Sequence, residues 1–330
     1  MRFALAPNGA RDWLAWRRSM STPIGVIGGG GFGVGLARAI ARNGRTATLW
    51  SRRDGEVGER IEPTRDIAAL GRCELIFVSV PSMHVAKVAE QLGRHLDGRH
   101  LLVHVSRGLV GEELRTVSRV LRELTPARRV GCLAGPISAK SIAEGVPGGG
   151  IVGTGFPEVA DALREAIAGP TLRLYQTEDV VGVEVSAALV GLLALAIGYA
   201  QEMGINPAAL AILATRGMVE TARIGVSLGA DDRTFAGVAG YGDLIAAVAG
   251  DERPELELGR ALGRGLTLQQ AGEHAGAYIE GVTIARRVQR HAMRRGIEVP
   301  IIEALADALD GKLTPTGVIE RLMSRRSKRE

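Results

Sequence analysis

Short apolar runs alternate with helix-like segments along the first half of the chain. The runs are Ile24 to Ile27, "TATLW" (46–50), "ELIFVSV" (74–80), "HLLVHVS" (100–106), "RVGCLAG" (129–135) and "GGIVGT" (149–154). Between them, apolar residues recur at helical spacing, as they do at Leu36, Ala37, Ile40 and Ala41. This alternation is typical of a parallel sheet whose strands are joined by right-handed helical crossovers. The pattern predicts an α/β domain.

The pattern changes near residue 178. Three long segments beyond it show helical periodicity, namely 178–204, 207–229 and 280–296, and strand-like alternation is no longer found. We therefore predict three parts of the chain. Residues 1–19 form an extension, which is either a disordered arm or the product of an upstream start. Residues 20–177 form the α/β domain, and residues 178–330 form an all-helical domain.

Composition indicates a globular protein that does not cross a membrane. Of the 330 residues, 46% are hydrophobic and 23% are charged, which is typical of chains that bury a core. No uninterrupted apolar run reaches the roughly 18 residues that suggest a spanning helix. The most apolar segment, "GVEVSAALVGLLALAIG" at 182–198, is predicted to be a buried helix.

Neither the charge nor the cysteines predict a specialised partner. The net charge of +5 is spread along the chain apart from the tail "RRSKRE", so we predict no nucleic-acid binding. Cys73 and Cys132 lack metal-ligand spacing, and we expect free thiols in a reducing cytoplasm and no bound metal. The first nineteen residues lack an apolar core long enough for a secretory signal, so a cytoplasmic location is expected.

A glycine-rich turn follows the first predicted strand and precedes the first predicted helix. It contains Gly28, Gly30 and Gly33 in GxGxxG spacing, with Gly31 and Phe32 between them. Glycines at such a turn let backbone N–H groups approach a pyrophosphate, which the helix N-terminus also attracts. A tight turn without a ligand is the structural alternative. The strand–turn–helix context favours dinucleotide binding.

The end of the second predicted strand bears on which dinucleotide binds. A site that prefers NAD commonly has an acidic residue there for the ribose hydroxyls. Here the strand ends in "LWSRR", which places Arg52 and Arg53 at that position. A guanidinium suits a 2′-phosphate, so NADP(H) is favoured. The nearby Asp54 leaves NAD(H) open.

The motifs together resemble the bacterial NAD(P)-dependent glycerol-3-phosphate dehydrogenases. The similarity runs from Ile24 to about residue 323. The matching segments in family order are "GGGGFG", "VSVPS" (78–82), "VSRGL" (105–109), "AGPISAKSIAEGVP" (134–147), the long stretch 214–244 and "IEGVTIARRV". The resemblance implies a Rossmann-type parallel sheet domain followed by an all-helical C-terminal domain, as in 6-phosphogluconate dehydrogenases. It also implies hydride transfer between the nicotinamide and C2 of glycerol 3-phosphate or dihydroxyacetone phosphate, which supplies glycerophospholipid synthesis.

The resemblance also identifies a missing catalytic pair. In the family, a lysine followed by an asparagine on the first helix of the second domain serves the reacting oxygen. The matching positions here are Val190 and Gly191. Valine cannot exchange a proton or stabilise an alkoxide, and glycine supplies no amide.

Other positions that match the family keep or alter their chemistry. Arg107 replaces a lysine, Ile137 replaces a serine or threonine, and Arg253-Pro254-Glu255 replaces the phosphate-binding Ser-Arg-Asn run. The expected catalytic residue is Asp243. The expected cofactor-binding residues are Gly28, Gly30, Gly31, Phe32, Gly33, Arg52, Arg53, Arg107, Ala139 and Glu280. The expected substrate-binding residues are Arg107, Gly135, Asp243 and Arg253.

Two functions therefore remain open at this point. One is an NAD(P)H-dependent oxidoreductase of this family, acting on a small molecule with an altered activity or substrate. The other is a catalytically impaired NADP(H)-binding sensor or partner protein. The family resemblance also implies a homodimer.

Overall fold

The structure is a computed structural model that describes residues 22–52, 55, 58–250, 253–275 and 280–324, without the side chains of residues 315 and 323. The predicted extension over residues 1–19 and the predicted cofactor residue Arg53 lie outside the described residues. An eight-stranded sheet forms one half of the chain, and helices form the other.

The sheet contains the six strands expected from the sequence and two more. The strands are β1 (Ile24–Ile27), β2 (Ala47–Trp50), β3 (Ile61–Thr64), β4 (Leu75–Val78), β5 (Leu101–His104), β6 (Arg129–Ala134), β7 (Gly148–Gly153) and β8 (Leu172–Thr177). Their order in the sheet is β3-β2-β1-β4-β5-β6-β7-β8. The order reverses between β1 and β4, which is where open α/β sheets bind their ligands.

The expected parallel sheet is confirmed, with one strand pair as an exception. β6 and β7 are antiparallel, with Cys132 opposite Gly153, while every other neighbouring pair is parallel. Both strands are largely buried, and a buried strand is equally apolar whether it runs parallel or antiparallel to its neighbour. The sequence pattern therefore does not reveal the direction of β7. The Rossmann-type fold class is nevertheless confirmed.

Helices of the α/β half cover the sheet. They are α1 (Gly31–Arg42), α2 (Ser82–Gly93), α3 (Val117–Leu124), α4 (Ala139–Glu144) and α5 (Pro157–Ile167), together with a 3₁₀ turn at Ile67–Arg72. Fully buried side chains such as Val26, Phe77 and Val103 form the layer between the strands and these helices. The last strand ends at Thr177.

The remaining described elements are helical. They are α6 (Val180–Glu202), α7 (Pro207–Ser227), α8 (Arg233–Ala236), a π-helical turn at Val238–Gly242, α9 (Asp243–Ala249), α10 (Pro254–Gly263), α11 (Leu268–Ala275), α12 (Glu280–Arg295), α13 (Pro300–Leu309) and α14 (Pro315–Met323). Every residue of α6 from Gly182 to Gly198 is buried. Although α6 is long and apolar enough to cross a membrane, 83% of its most apolar window is buried within the protein, as in the core helix of a globular fold.

Glycines allow α6 and α10 to pack backbone against backbone. A Cβ atom added at Gly198 would collide with the carbonyl of Leu256, and one added at Gly259 would collide with the carbonyl of Leu195. The two helices can approach this closely only because neither glycine has a side chain. Their contact fixes how the start of α10 sits against the middle of α6.

A buried polar cluster joins α6 to the sheet. His104 Nε2 lies 3.2 Å from Glu184 Oε2, and both side chains are 1% exposed. Glu184 also accepts a 2.6 Å hydrogen bond from the amide of Val117 at the start of α3. Burial alone would raise the pKa of Glu184, but the interactions with His104 and Ser118 lower it below its ordinary value. The Cys132 sulfur lies within 4.8 Å of possible ligand atoms of both His104 and Glu184. Burial raises the pKa of the Cys132 thiol well above its ordinary value.

A second buried carboxyl, Glu220 on α7, caps α13. It accepts hydrogen bonds from the amides of Ile301 and Ile302 at 3.0 and 3.1 Å. Burial raises the pKa of Glu220 from 4.5 to about 7, although these amides and Arg223 oppose the rise. The folded protein therefore holds a proton on Glu220 that the unfolded chain has released between these pH values.

We expect Glu220→Gln to remove a pH-dependent loss of stability. The stabilisation from the protonated carboxyl is complete below pH 4.5 and is lost as pH rises through about 7, a change of about 3 kcal/mol. Glutamine keeps the acceptor but does not titrate. Urea unfolding at pH 5 and pH 8 should show a smaller difference for the variant than for the parent. Glu90→Gln, at an exposed position, should retain the parental difference.

Candidate functional site

The glycine turn between β1 and α1 has the geometry of a nucleotide cradle. Gly28 has φ +113°, and a Cβ there would collide with the carbonyl of Ser79. A Cβ at Gly33 would collide with the carbonyl of Gly28. At Gly30, in contrast, a Cβ would meet none of the described protein atoms within 4 Å. The first two glycines are thus needed by the fold itself, while Gly30 borders open space at the N-terminus of α1.

The end of β2 lies beside this turn. The amide of Gly28 donates a 2.9 Å hydrogen bond to the carbonyl of Trp50, and Gly29 approaches Ser51 so closely that a Cβ would collide with its hydroxyl. Arg52 is the next residue and is exposed. Arg52, whose guanidinium is predicted to contact the 2′-phosphate of the ribose, therefore follows β2 beside the glycine turn that would hold the pyrophosphate.

Helix α4 packs against α1 on the other side of the turn. A Cβ at Gly31 would lie 3.7 Å from the Cβ of Ala139, and one at Gly35 would lie 2.8 Å from the Ala139 carbonyl. Ser138 caps α4 by accepting a 3.0 Å hydrogen bond from the amide of Ser141. The structure thus brings the predicted cofactor residue Ala139 next to the glycine turn.

Glu280, at the start of α12, reaches back to the α/β half. Its carboxylate accepts a 2.7 Å hydrogen bond from the amide of Ser82 and a second, very short one from the Ser82 hydroxyl. Burial raises the pKa of Glu280, while the two Ser82 hydrogen bonds oppose the rise. Gly108 is close enough that a Cβ would collide with the carboxylate. Sequence reasoning proposed Glu280 but missed Ser82, whose only signal was its place in "VSVPS".

The predicted substrate residues Arg107, Asp243 and Arg253 meet in one cluster. Arg253 Nη2 donates a 2.9 Å hydrogen bond to Asp243 Oδ2, and Arg107 Nη1 lies 3.5 Å from the same oxygen. Arg107 also donates to the carbonyls of Gly135 at 3.3 Å and Ile137 at 2.9 Å. The loop after β6 therefore holds Arg107 in place, and three elements distant in sequence converge.

Asp243 has the ionisation properties expected of an acid–base group. Asp243 is 1% exposed, and burial raises the pKa of its carboxyl to about 6. The positive charge of Arg107 lowers that pKa and the negative charge of Glu255 raises it further. A carboxyl with a pKa near neutrality can both take and return a proton under ordinary conditions.

Val190 and Gly191, where the sequence resemblance implies a lysine and an asparagine, hold no group able to exchange a proton. Val190 is completely buried in the helical core. At Gly191, a Cβ would lie 3.1 Å from Glu255 Oε1. The carboxylate of Glu255 therefore lies beside Gly191, where an asparagine side chain would project.

Comparisons with known proteins identify a family for this chain. Residues 179–320 match the family model described as NAD-dependent glycerol-3-phosphate dehydrogenase C-terminus. Residues 56–158 match the corresponding N-terminus model.

Several individual proteins are also similar over nearly the whole chain. A glycerol-3-phosphate dehydrogenase [NAD(P)+] of Azotobacter vinelandii is 33% identical, covering 92% of this chain and 94% of its own length. One from Geobacter sulfurreducens is 34% identical, covering 94% of this chain and 99% of its own length. The crystal structure of glycerol-3-phosphate dehydrogenase from Coxiella burnetii superposes with a TM-score of 0.87 at 25% identity, covering 93% of this chain and all of that one.

Proposed function

This chain belongs to the NAD-dependent glycerol-3-phosphate dehydrogenase family, and from that premise we propose that it is a nicotinamide-dependent oxidoreductase with an altered substrate. The family assignment made from the motifs is confirmed. The reaction proposed is the reversible reduction of a small hydroxylated ketone at C2, for which a bound nicotinamide supplies the hydride.

The observation that carries the proposal is the open side of the glycine turn. Gly28 and Gly33 are required by backbone contacts within the protein, but no atom of the described residues explains a glycine at position 30. A ligand that approaches the N-terminus of α1 does explain it, and the amides there suit a pyrophosphate. Gly31, Phe32, Ala139 and Glu280 would line the same nucleotide site.

We propose Asp243 as the proton carrier of the reaction. Reduction of a ketone adds hydride to the carbon and a proton to the oxygen. With a pKa of about 6, Asp243 can deliver that proton, and Arg107 and Arg253 can stabilise the charge that develops on the oxygen. We expect this arrangement to give a lower rate than the family's lysine, because Arg107 and Arg253 also pair with the Asp243 carboxylate and are therefore less available to stabilise the reacting oxygen.

A second candidate function is nucleotide binding without turnover. Val190 favours it, because losing a positioned acid–base group typically lowers a rate by about 10²–10⁴. The two functions differ in one experiment. Purified protein is titrated with NADPH by fluorescence and then assayed for NADPH oxidation with dihydroxyacetone phosphate and a panel of uncharged 2-oxo compounds. Binding together with substrate-dependent oxidation supports the oxidoreductase, whereas binding without any oxidation supports the sensor.

We propose NADP(H) as the preferred cofactor, and we expect Arg52→Ala to weaken NADPH binding about 10-fold while leaving NADH binding unchanged. A charge-assisted hydrogen bond from a guanidinium to a phosphate is worth about 1.5–3 kcal/mol, and NADH lacks the 2′-phosphate. Fluorescence titration with both nucleotides provides the measurement. Arg94→Ala, at an exposed position of the same half, is the control. Equal weakening for NADPH and NADH would contradict a 2′-phosphate contact.

The remaining proposals concern assembly and location. A mainly aliphatic groove of about 1280 Å³ opens among α6, α7, α13 and α14. We propose that a second copy of the chain covers this groove in the homodimer that the family resemblance implies, and sedimentation equilibrium can test this. The domain boundary near residue 178 and the cytoplasmic location stay predictions.

A further inference from the structure

Backbone contacts hold the start of α10 against α6, and this fixes the position of Glu255 beside Gly191. The backbone contacts of Gly198 with Leu256 and of Gly259 with Leu195 set the register of the two helices. In that register, Glu255 Oε1 and Cγ would lie 3.1 and 3.4 Å from a Cβ at Gly191. The absent side chain at Gly191 and the carboxylate of Glu255 are therefore complementary, because an asparagine at 191 would displace Glu255.

Charges in the cluster around Asp243 already balance. Arg107 and Arg253 both approach Asp243, and Arg253 Nε also lies 3.7 Å from Glu255 Oε2. Two guanidiniums thus face two carboxylates. The negative charge of Glu255 also acts on Asp243 and Glu280, since it raises the pKa values of both carboxyls. A phosphate dianion placed here would leave uncompensated negative charge in a largely buried site, which is unfavourable.

The cluster also contains an unused donor and an unused acceptor. Arg253 Nε and Glu255 Oε2 are buried and form an ion pair with each other at 3.7 Å, but neither makes a hydrogen bond to any of the described residues. The side chains that carry them are 13% and 14% exposed, so each retains limited contact with solvent. A phosphate dianion can accept from Arg253 but cannot donate to Glu255, whereas a hydroxyl can do both.

We propose that Glu255, together with Gly191, selects a substrate whose distal group is an uncharged hydroxyl and not a phosphate. This inference rests on the proposed function, because it names the substrate class of the same site. The ketone form is an uncharged hydroxyketone and the alcohol form is a polyol. Glu255 is a specificity-determining residue, and the proton of the reaction still comes from Asp243.

The test compares neutral and phosphorylated ligands by binding and by turnover. The probes are glycerol and glycerol 3-phosphate for calorimetric binding to the protein saturated with NADP⁺, and dihydroxyacetone and dihydroxyacetone phosphate for NADPH oxidation. The variants are Glu255→Gln and, as the matched control on the same helix, Glu257→Gln. Glu257 pairs with Arg264 at 2.7 Å, outside the cluster.

We expect the parent to bind glycerol at least about 10-fold more tightly than glycerol 3-phosphate. Glu255→Gln removes one negative charge and should shift this ratio toward the phosphate about 10- to 100-fold, while Glu257→Gln leaves it unchanged. Equal or tighter binding of glycerol 3-phosphate by the parent, binding of neither ligand, or an unchanged ratio in Glu255→Gln would overturn the inference.

The binding measurement separates this inference from the proposed function. If the ratio shifts as expected but no ketone is reduced, the site selects a neutral ligand and the proposed catalysis is wrong. If dihydroxyacetone phosphate is reduced in preference to dihydroxyacetone, the oxidoreductase function stands and the role of Glu255 is wrong.

Discussion

Gly30→Ala is expected to weaken NADPH binding at least 100-fold while leaving the unfolding of the protein unchanged. Gly30 is the N-cap of α1 with φ −75° and ψ 171°, a conformation that alanine adopts without strain. Within the part of the chain that the structure describes, the new Cβ would meet no atom within 4 Å. Its methyl group would instead enter the space in front of the helix N-terminus, where the pyrophosphate must approach the backbone.

Two other substitutions separate loss of binding from loss of folding. Gly155→Ala places a methyl group in equally open space, away from the turn, and should change neither property. Gly33→Ala forces a collision with the Gly28 carbonyl and should lower the free energy of unfolding. Fluorescence titration and thermal unfolding of the three variants provide the comparison. Undiminished NADPH affinity in folded Gly30→Ala would place the nucleotide elsewhere.

The sequence predicts the sheet well where strands are buried on both faces. Strands such as β4 and β5 are continuous apolar runs, and every residue in them is buried. The two missed strands are different. β3 has the sequence IEPT, which is half polar, contains Pro63 and lies at one edge of the sheet. β8 lies at the other edge, and its residues Arg173 and Tyr175 are both exposed. Edge strands lack the apolar pattern because solvent covers part of them.

The candidate site shows a similar division between what is local and what is distant. The glycine turn is predictable because its GxGxxG spacing lies within six consecutive residues, Gly28 to Gly33, directly after a buried strand, even though the atom that requires Gly28 is the distant Ser79 carbonyl. The contact between Ser82 and Glu280 joins residues 198 positions apart, and only the fold brings them together. The position of Glu255 against Gly191 depends on the register of α6 and α10, which glycines along both helices determine. No spacing rule in the sequence contains that register.

The variant Val190→Lys/Gly191→Asn/Glu255→Asn is expected to reduce dihydroxyacetone phosphate at least 100-fold faster than the parent. The lysine supplies a proton and a positive charge at the reacting oxygen, and a positioned acid–base group typically contributes about 10²–10⁴ in rate. Glu255 must change as well, because its Oε1 would lie 3.1 Å from the Cβ of Asn at 191. Its replacement also removes the negative charge that opposes a phosphate.

Steady-state NADPH oxidation by folded variants measures the effect, and methionine provides the control. Val190→Met/Gly191→Asn/Glu255→Asn inserts an unbranched side chain of similar length that cannot carry a proton. Because Val190 is completely buried, either long side chain strains the helical core, so both triple variants need to retain a cooperative unfolding transition. If the methionine variant gains as much activity as the lysine variant, relief of charge repulsion explains the gain. If neither gains activity while NADPH still binds, Val190 is not the position that lost the chemistry.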